Sequence, residues 1–150
     1  MNLPPYNLEA SAHYLDFEFD SIGPRGEVRK IVRFTKMKIA DASITIYNLG
    51  FGDYNKVEDR IDDLIVTDNK DSQKVMASVA AAVMAFTDHH PEVLVFAQGS
   101  TDVRTRYYTR AISVNYEAVR KAFDVWGHTE GRWEVFKPNR VYSAVLVKRK

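Results

Sequence analysis

The segment 75–86 constrains the fold of this chain more than any other, because Ser78 is the only polar residue in it. A helix that is apolar on nearly every side is buried over most of its surface, and its alanines allow a neighbouring element to approach closely. Pro91 requires such a helix to end before it. The sequence therefore predicts a helix over residues 72–89 that other elements must cover.

Strand patterns lie on both sides of that helix. Residues 13–20 alternate between an apolar and a mostly acidic face, as a half-buried strand does, and residues 93–97 form an apolar run that suits a central strand. A second long helix is predicted over about 101–123. The other predicted strands are rich in β-branched or aromatic residues and cover 28–37, 43–51, 125–127, 133–137 and 141–148, of which the last two are expected to form a hairpin.

The fold class that follows is α+β. A three-strand antiparallel meander precedes the buried helix, a central strand, the second long helix and a carboxyl-terminal hairpin, in the order βββαβαβββ. A ribonuclease H-like domain begins with the same order, and the likeness is one of order only. The chemistry of that fold needs several converging carboxylates. Here Asp16 and Asp20 have no evident partners, and Gln98 stands where an aspartate would be needed, so a two-metal nuclease is not the leading hypothesis.

Composition further limits the class of protein that this sequence can encode. A chain of 150 residues that is 45% hydrophobic can bury a core, so residues 1–150 are expected to form a single domain. The sequence has no cysteine, which excludes disulfides, thiolate nucleophiles and zinc–thiolate sites. We expect a cytoplasmic protein without a membrane partner, because no secretory leader is visible and the most apolar stretch is too short to cross a bilayer.

Charge is unevenly distributed along the chain. Residues 53–71 contain seven acidic residues against three basic ones, and residues 101–150 contain eleven basic residues against five acidic ones. The basic part suits a polyanion, or the two regions face each other or water. The acidic region lacks the ligand spacing of a calcium loop, and the adjacent His89 and His90 point about 100° apart on a helix. No metal and no cofactor are predicted.

The strongest candidate for a site is the strand-to-helix junction at residues 96–108. Gly99 allows a tight turn, Ser100 is placed to cap the helix, and the amides of a first helical turn suit a phosphate or a carboxylate. On a wheel of about 100° per residue that starts at Val103, Arg104 lies inside the apolar arc. That arc spans about 0° to 200° and contains Val103, Tyr107, Tyr108, Ala111, Ile112, Val114, Ala118, Val119, Ala122 and Phe123, whereas Arg106, Thr109 and Arg110 lie outside it.

Two interpretations of Arg104 remain open, since an unpaired guanidinium on a core face costs several kcal/mol. In the first, Arg104 and the junction residues Gly99, Ser100, Thr101 and Arg106 bind an anion, and the planar guanidinium matches a carboxylate or a phosphate. In the second, Arg104 pairs with an internal acid and clamps the helix to the preceding loop. The candidate partners are Asp53, Asp68 and Asp71, and Asn115 is interpreted as a core amide bonded to the backbone.

Residues 99–108 read Gly-Ser-Thr-x-x-Arg-Thr-Arg-x-Tyr, and this motif resembles an uncharacterised bacterial family, a domain of unknown function found chiefly in Bacteroidetes. The sequence departs from the family pattern at Lys70, which stands between Asn69 and Asp71 where glycine is expected, so the turn there is expected to be less tight. The resemblance implies a compact α+β domain and no established activity, cofactor or catalytic residue. The other matching stretches are residues 47–53, 62–63 and 68–71, with Trp133 and Tyr142 in the closing strands.

The leading functional hypothesis is a non-enzymatic binding or interaction domain that uses residues 99–110, with a protein or a polyanion as its partner. One alternative is a small enzyme or binder that acts on a phosphorylated or nucleotide ligand held at the same junction. The other is nucleic-acid binding through the basic carboxyl-terminal third. No catalytic residues are assigned.

Overall fold

The computed structural model describes residues 4–41, 43–62 and 69–150, and within them the predicted α+β fold is confirmed. The helices are α1 (Ser72–His89), α2 (Asp102–Val114) and α3 (Tyr116–Ala122). The strands are β1 (Glu9–Ala10), β2 (Asp16–Gly23), β3 (Gly26–Lys36), β4 (Ile46–Asn55), β5 (Arg60–Asp62), β6 (Leu94–Ala97), β7 (Phe123–Thr129), β8 (Arg132–Val135) and β9 (Ala144–Arg149). No described helix is long and apolar enough to span a membrane.

The chain contains two compact units, and β4 runs from one into the other. The first unit comprises residues 1–35 and 50–89, and the second comprises residues 36–49 and 90–150. That residues 1–150 act as a single domain stays a prediction.

In the first unit the strand order is β1-β2-β3-β4, with β5 paired to β4. Helix α1 is buried as its composition predicts: Phe86 is fully buried and stacks on Phe34 with ring centroids 4.1 Å apart. Within the segment 75–86 only Ala80 and Met84 are exposed. The apolar segment therefore forms part of the core of this unit.

The alternation of β2 is confirmed, because Phe17 and Phe19 are buried while the acids between them lie on the other face. On that face Asp16 is bound by Arg33 of β3 at 2.9 Å. Asp20 is bound in the same way by Arg29 at 3.2 Å. Both acids lie directly opposite their arginines across the β2–β3 pair, where opposite charges stabilise a sheet. The partners that the sequence did not reveal are thus supplied by the next strand.

In the second unit the strand order is β4-β6-β9-β7-β8. Strand β6 is central, as predicted, and runs parallel to β4, while the β6–β9, β9–β7 and β7–β8 pairs are antiparallel. One face of this sheet is buried through Val95, Val125 and Val145. On that side Tyr116 of α3 packs against Phe136 and donates its hydroxyl hydrogen to the Phe136 carbonyl at 3.2 Å.

The second predicted helix is two helices, and this corrects the expectation of one helix over about 101–123. The break lies at Asn115, where φ is −108° and ψ is 22°. Its backbone amide and its side-chain Nδ2 both donate to the Ala111 carbonyl, at 3.2 and 2.8 Å. An asparagine side chain that bonds the backbone locally competes with the helical ladder, which explains the break. The helical region then ends at Ala122, and Phe123 begins β7.

The carboxyl-terminal hairpin is formed by β7 and β8 rather than by the last two strands. A two-residue turn joins them, with positive φ angles of 51° at Glu130 and 76° at Gly131, which suits a tight hairpin. Strand β9 lies between β6 and β7. The apolar pattern of a strand predicts which face it buries, and it does not determine which strand lies beside it.

Candidate functional site

The junction between β6 and α2 is held by a threonine of the helix. The Gly99 amide donates to Thr105 Oγ1 at 3.0 Å, and that hydroxyl donates to the Thr101 carbonyl at 3.2 Å. A Cβ atom on residue 99 would lie 2.5 Å from Arg104 Cβ and from the Thr105 amide nitrogen. Glycine is required here because the turn and the first helical turn approach so closely.

Thr101, rather than Ser100, caps α2. Its Oγ1 accepts a hydrogen bond from the Arg104 amide at 3.2 Å, and its backbone is extended with φ −134° and ψ 162°. The helix begins at Asp102, whose negative charge is favourable in a first turn. The cap therefore lies one residue later than expected.

Two amides of the predicted anion site are therefore bound within the chain, those of Gly99 and Arg104. An anion at this junction would depend on side chains more than on a cradle of open amides. Ser100, Thr101 and Arg106 are exposed, whereas Arg104 is half-buried. Anion binding at the junction remains a prediction.

The candidate partners of Arg104 have bonds of their own in the first unit. Asp53 forms an ion pair with the buried Lys30. Asp71 accepts hydrogen bonds from Tyr6 and Ser21. Asp68 lies outside the described residues, and the backbone bond of Asn115 fits its interpretation as a structural amide. The internal-clamp interpretation of Arg104 likewise stays a prediction.

The buried face of α2 differs from the predicted one. Val103, Tyr107 and Val114, expected in the core, are 57%, 49% and 74% exposed. Thr105 and Thr109 are buried instead. Each threonine hydroxyl donates to a backbone carbonyl of the preceding helical turn, at 3.2 Å in both cases. A threonine whose hydroxyl is hydrogen-bonded within the helix presents only its methyl group to the core. A helical wheel that counts threonine as polar therefore predicts a buried face that is rotated away from the observed one.

The exposed side of α2 forms what we call the outer stripe, and it consists of Val103, Tyr107, Arg110 and Val114. These positions are separated by four, three and four residues, so they lie on one face of a helix. All four side chains are exposed, and the exposed Arg106 lies beside them. The outer stripe combines apolar contact area with positive charge, which is the composition of a binding surface.

Sequence reasoning missed a polar network in the first unit that centres on Asn69. This buried side chain donates from Nδ2 to the Ser21 carbonyl, the Ser21 hydroxyl and the Gly26 carbonyl, at 3.3, 3.1 and 3.0 Å. Its Oδ1 accepts the Arg25 amide at 2.7 Å. A residue that looked like part of a turn thus fastens the β2–β3 hairpin to the segment before α1.

The network continues to a cavity. Asp71 accepts the Tyr6 hydroxyl at 2.7 Å and the Ser21 hydroxyl at 2.6 Å. Burial and the bond to Asp71 raise the pKa of Tyr6. The cavity has a volume of about 650 Å³ and is lined by Tyr6, Ile22, Lys70, Asp71, Ser72, Gln73 and Lys74.

Two lysines give this cavity a cationic rim. Lys74 Nζ lies 4.4 Å from the centre of the Tyr6 ring, within the range of a cation–π contact. Lys70 has a φ of 57°, in the left-handed region that favours glycine. The expectation of glycine at position 70 was the sequence signal for a left-handed turn here. The turn keeps that conformation with lysine in place. Among the described residues, no group of three His, Cys, Asp or Glu residues is arranged to hold a metal ion.

The model of a family of unknown function, DUF6934, matches residues 2–150. The chain belongs to this family. The match spans nearly the whole sequence, and DUF6934 brings no assigned activity to the chain. No curated protein and no solved structure matches the chain.

Proposed function

We propose that this DUF6934 chain is a non-catalytic binding domain that recognises an acidic, amphipathic segment of another protein through the outer stripe of α2. The exposure of Val103, Tyr107 and Val114 on one helical face carries the proposal, because neighbouring large apolar side chains at an exposed surface mark interaction sites. Tyrosine and arginine are also the residue types that most often anchor a protein interface.

Charge supports an acidic partner. The second unit contains thirteen Lys or Arg residues and seven Asp or Glu residues, so its formal charge is +6, whereas that of the first unit is −5. Arg106 and Arg110 are exposed beside the apolar positions. A partner with apolar anchors between acidic residues matches this surface, and long-range attraction would speed its association. The proposed location is the cytoplasm of a bacterium.

The test compares proteins captured from an extract of the source cells by the parent chain and by Tyr107→Asp. We expect the parent to retain a specific protein and Tyr107→Asp to lose it, with an affinity at least about thirtyfold weaker once that protein is purified. Val57→Asp is the matched control, since Val57 is 97% exposed and is not a residue of α2.

Capture of the same protein by Tyr107→Asp would contradict the proposal, as would the absence of any specifically retained protein. If nuclease treatment removes the captured material, and binding falls steeply as salt rises, the partner is a nucleic acid and not an acidic protein. Circular dichroism should show that both variants fold as the parent does.

A second candidate function, binding of a small phosphorylated or carboxylate ligand, is favoured by the cavity beside Tyr6. Its volume of about 650 Å³ suits a small metabolite, and Lys70 and Lys74 supply positive charge. In thermal-shift measurements with inorganic phosphate, nucleotides and sugar phosphates, we expect at least one to raise the Tm. Lys74→Ala should abolish that rise, whereas Lys56→Ala, an exposed lysine outside the cavity, should leave it unchanged. No rise with any of these anions would remove this candidate.

A further inference from the structure

Strand β8 lies at a sheet edge and carries large apolar side chains. Among the described residues it is paired on one side only, with β7. Trp133 is 41% exposed and Val135 is 65% exposed. The open backbone groups of an edge strand readily pair with another strand, and the charged side chains Arg132 and Glu134 restrict which strand can pair with this one. This edge therefore has the properties of a strand-pairing surface.

The hydrogen-bond pattern of β8 determines which of its backbone groups are open. Phe136 donates its amide to the Val125 carbonyl of β7 at 3.0 Å, so its backbone groups point toward β7. Backbone direction alternates along a strand, and the groups at positions 134 and 132 point the same way. The amide and carbonyl groups of Trp133 and Val135 therefore point to the open edge.

We propose that β8 pairs antiparallel with β8 of a second copy of this chain, about a two-fold axis at Trp133. In this register the two Trp133 residues exchange both of their open backbone hydrogen bonds. Arg132 of each copy then lies directly opposite Glu134 of the other, and opposite charges in that position stabilise a strand pair. Moving the axis one residue either way would oppose two Arg132 or two Glu134 side chains, so the charges select the register.

The Glu134 carboxylate is oriented for this role by its own unit. Its Oε2 accepts the Tyr142 hydroxyl at 2.7 Å and lies 3.3 Å from Arg140 Nε. Arg132 is exposed and lies on the same face of β8 as Glu134, because the two residues are two positions apart on a strand. The carboxylate is thus held on the face where Arg132 of the second copy would arrive, and its Oε1 is the atom that would receive the guanidinium.

A strand of four residues provides a small interface. Stable specific interfaces bury about 1,200–2,000 Å² in total, so the dimer formed through β8 is a weak one that depends on protein concentration. The pairing goes beyond the proposed function, because it uses β8 and a second copy rather than α2 and an acidic partner.

The experiment is sedimentation equilibrium of the purified full chain at concentrations up to about 1 mM. We expect a monomer–dimer equilibrium, and Arg132→Glu should weaken it at least about tenfold, since two attractive cross-strand pairs become repulsive. Arg106→Glu is the matched control: it reverses one exposed arginine on α2 and should leave dimerisation unchanged. The same control should weaken binding of the acidic partner, so failure of the two proposals can be told apart.

A backbone variant and a charge exchange complete the test. Val135→Pro removes an amide that points to the open edge, so it should abolish the dimer without disturbing the β7 pairing. Arg132→Glu chains mixed with Glu134→Lys chains should form a heterodimer, because both cross-strand pairs are then attractive. A chain that stays monomeric at every concentration overturns the proposal, as does a dimer that Arg132→Glu and Val135→Pro both leave intact.

Discussion

At the scale of the residue, Asn69 shows how one side chain can hold two segments together. Its amide nitrogen lies within hydrogen-bonding distance of three acceptors, and its oxygen accepts one bond, all in a buried position. A Cβ atom on Gly23 would lie 2.0 Å from the Asn69 carbonyl oxygen, so the hairpin and the loop before α1 are also in close contact. Neighbouring Lys70 adopts its left-handed conformation beside this fixed amide.

We expect Asn69→Ala to lower the free energy of unfolding by about 2–3 kcal/mol, because it leaves buried backbone groups of the hairpin without partners. Urea denaturation followed by circular dichroism measures the change. Asn7→Ala, at an exposed asparagine, is the control and should change stability by less than about 0.5 kcal/mol. Equal stability of Asn69→Ala and the parent would show that the network adds nothing to the fold.

Tyr142 makes a comparable link in the second unit. Its hydroxyl donates to Glu134 at 2.7 Å and accepts the Lys137 amide at 3.0 Å. Burial, followed by the bond to Glu134, raises the pKa of Tyr142. A Cβ atom on Gly127 would lie 2.4 Å from the tyrosine ring, so the ring lies flat against the sheet backbone.

Tyr142→Phe should cost about 1–3 kcal/mol of unfolding free energy, since a hydrogen bond to a charged acceptor and the acceptor for the Lys137 amide are both lost. Chemical denaturation at pH 7 checks this value. Tyr107→Phe removes an exposed hydroxyl and should have no effect larger than about 0.5 kcal/mol. If both substitutions behave alike, the hydroxyl of Tyr142 has no structural role.

At the scale of the element, the β6–α2 junction depends on close approach. Gly99 lies against the first turn of α2, and Thr105 closes the turn from the helix side. The predicted buried face of α2 was wrong where it left out Thr105 and Thr109. Both threonines are buried, because their hydroxyls donate to backbone carbonyls of the preceding turn. A threonine can therefore be buried at low cost when its hydroxyl is bonded within its own helix.

Gly99→Ala should destabilise the protein by about 1–3 kcal/mol, because its new methyl group would overlap the Thr105 amide nitrogen, which is backbone and has little freedom to move. Gly50→Ala is a matched control within β4, where the nearest atom would be 3.6 Å away. That control should change stability by at most about 1 kcal/mol, in the stabilising direction. Thermal unfolding measured for both variants compares the two stability changes. A Gly99→Ala variant as stable as the parent would contradict the prediction and mean that the junction relaxes around the new methyl group.

At the scale of the whole molecule, carboxylates bonded in the folded state link stability to pH. Bonds from Arg33 and Tyr54 hold the pKa of Asp59 below its usual range. The hydrogen bond from Tyr142 does the same for the pKa of Glu134, and nearby Arg140 adds to it. The unfolded chain therefore binds protons at a higher pH than the folded chain does at these two positions.

The direction in which stability changes with pH follows from those lowered pKa values. The stabilisation is complete above the ordinary values of about 3.9 for Asp and 4.3 for Glu, and it is lost as pH falls through the lower folded-state values. We expect the urea midpoint to decrease from pH 6 toward pH 3. Asp59→Asn and Glu134→Gln should each reduce that decrease relative to the parent, and an unchanged pH profile in both variants would contradict the prediction.

The sequence by itself determined whether the main segments form helices or strands, through the spacing of their apolar residues. The apolar segment 75–86 predicted a buried helix, which is confirmed. The alternation of residues 13–20 predicted a half-buried strand, which is confirmed from Asp16 onward. The resemblance to a family of unknown function is confirmed by the match over residues 2–150. These features are local, because helix and strand periods and turn residues act over a few neighbouring positions. The broad order of the main elements could therefore be predicted from the chain alone, whereas β1, β5 and the helix break at Asn115 could not.

Only the tertiary structure decided which strands are neighbours and which side of α2 is exposed. Strand β9 lies between β6 and β7, Asn69 bonds residues more than forty positions away, and Trp133 lies on an edge strand. Pairing between distant segments depends on how all the apolar faces are covered together, and a local pattern carries no record of the partner. The outer stripe and the edge of β8 arise from that shared packing, because each is a surface that the rest of the described fold leaves uncovered.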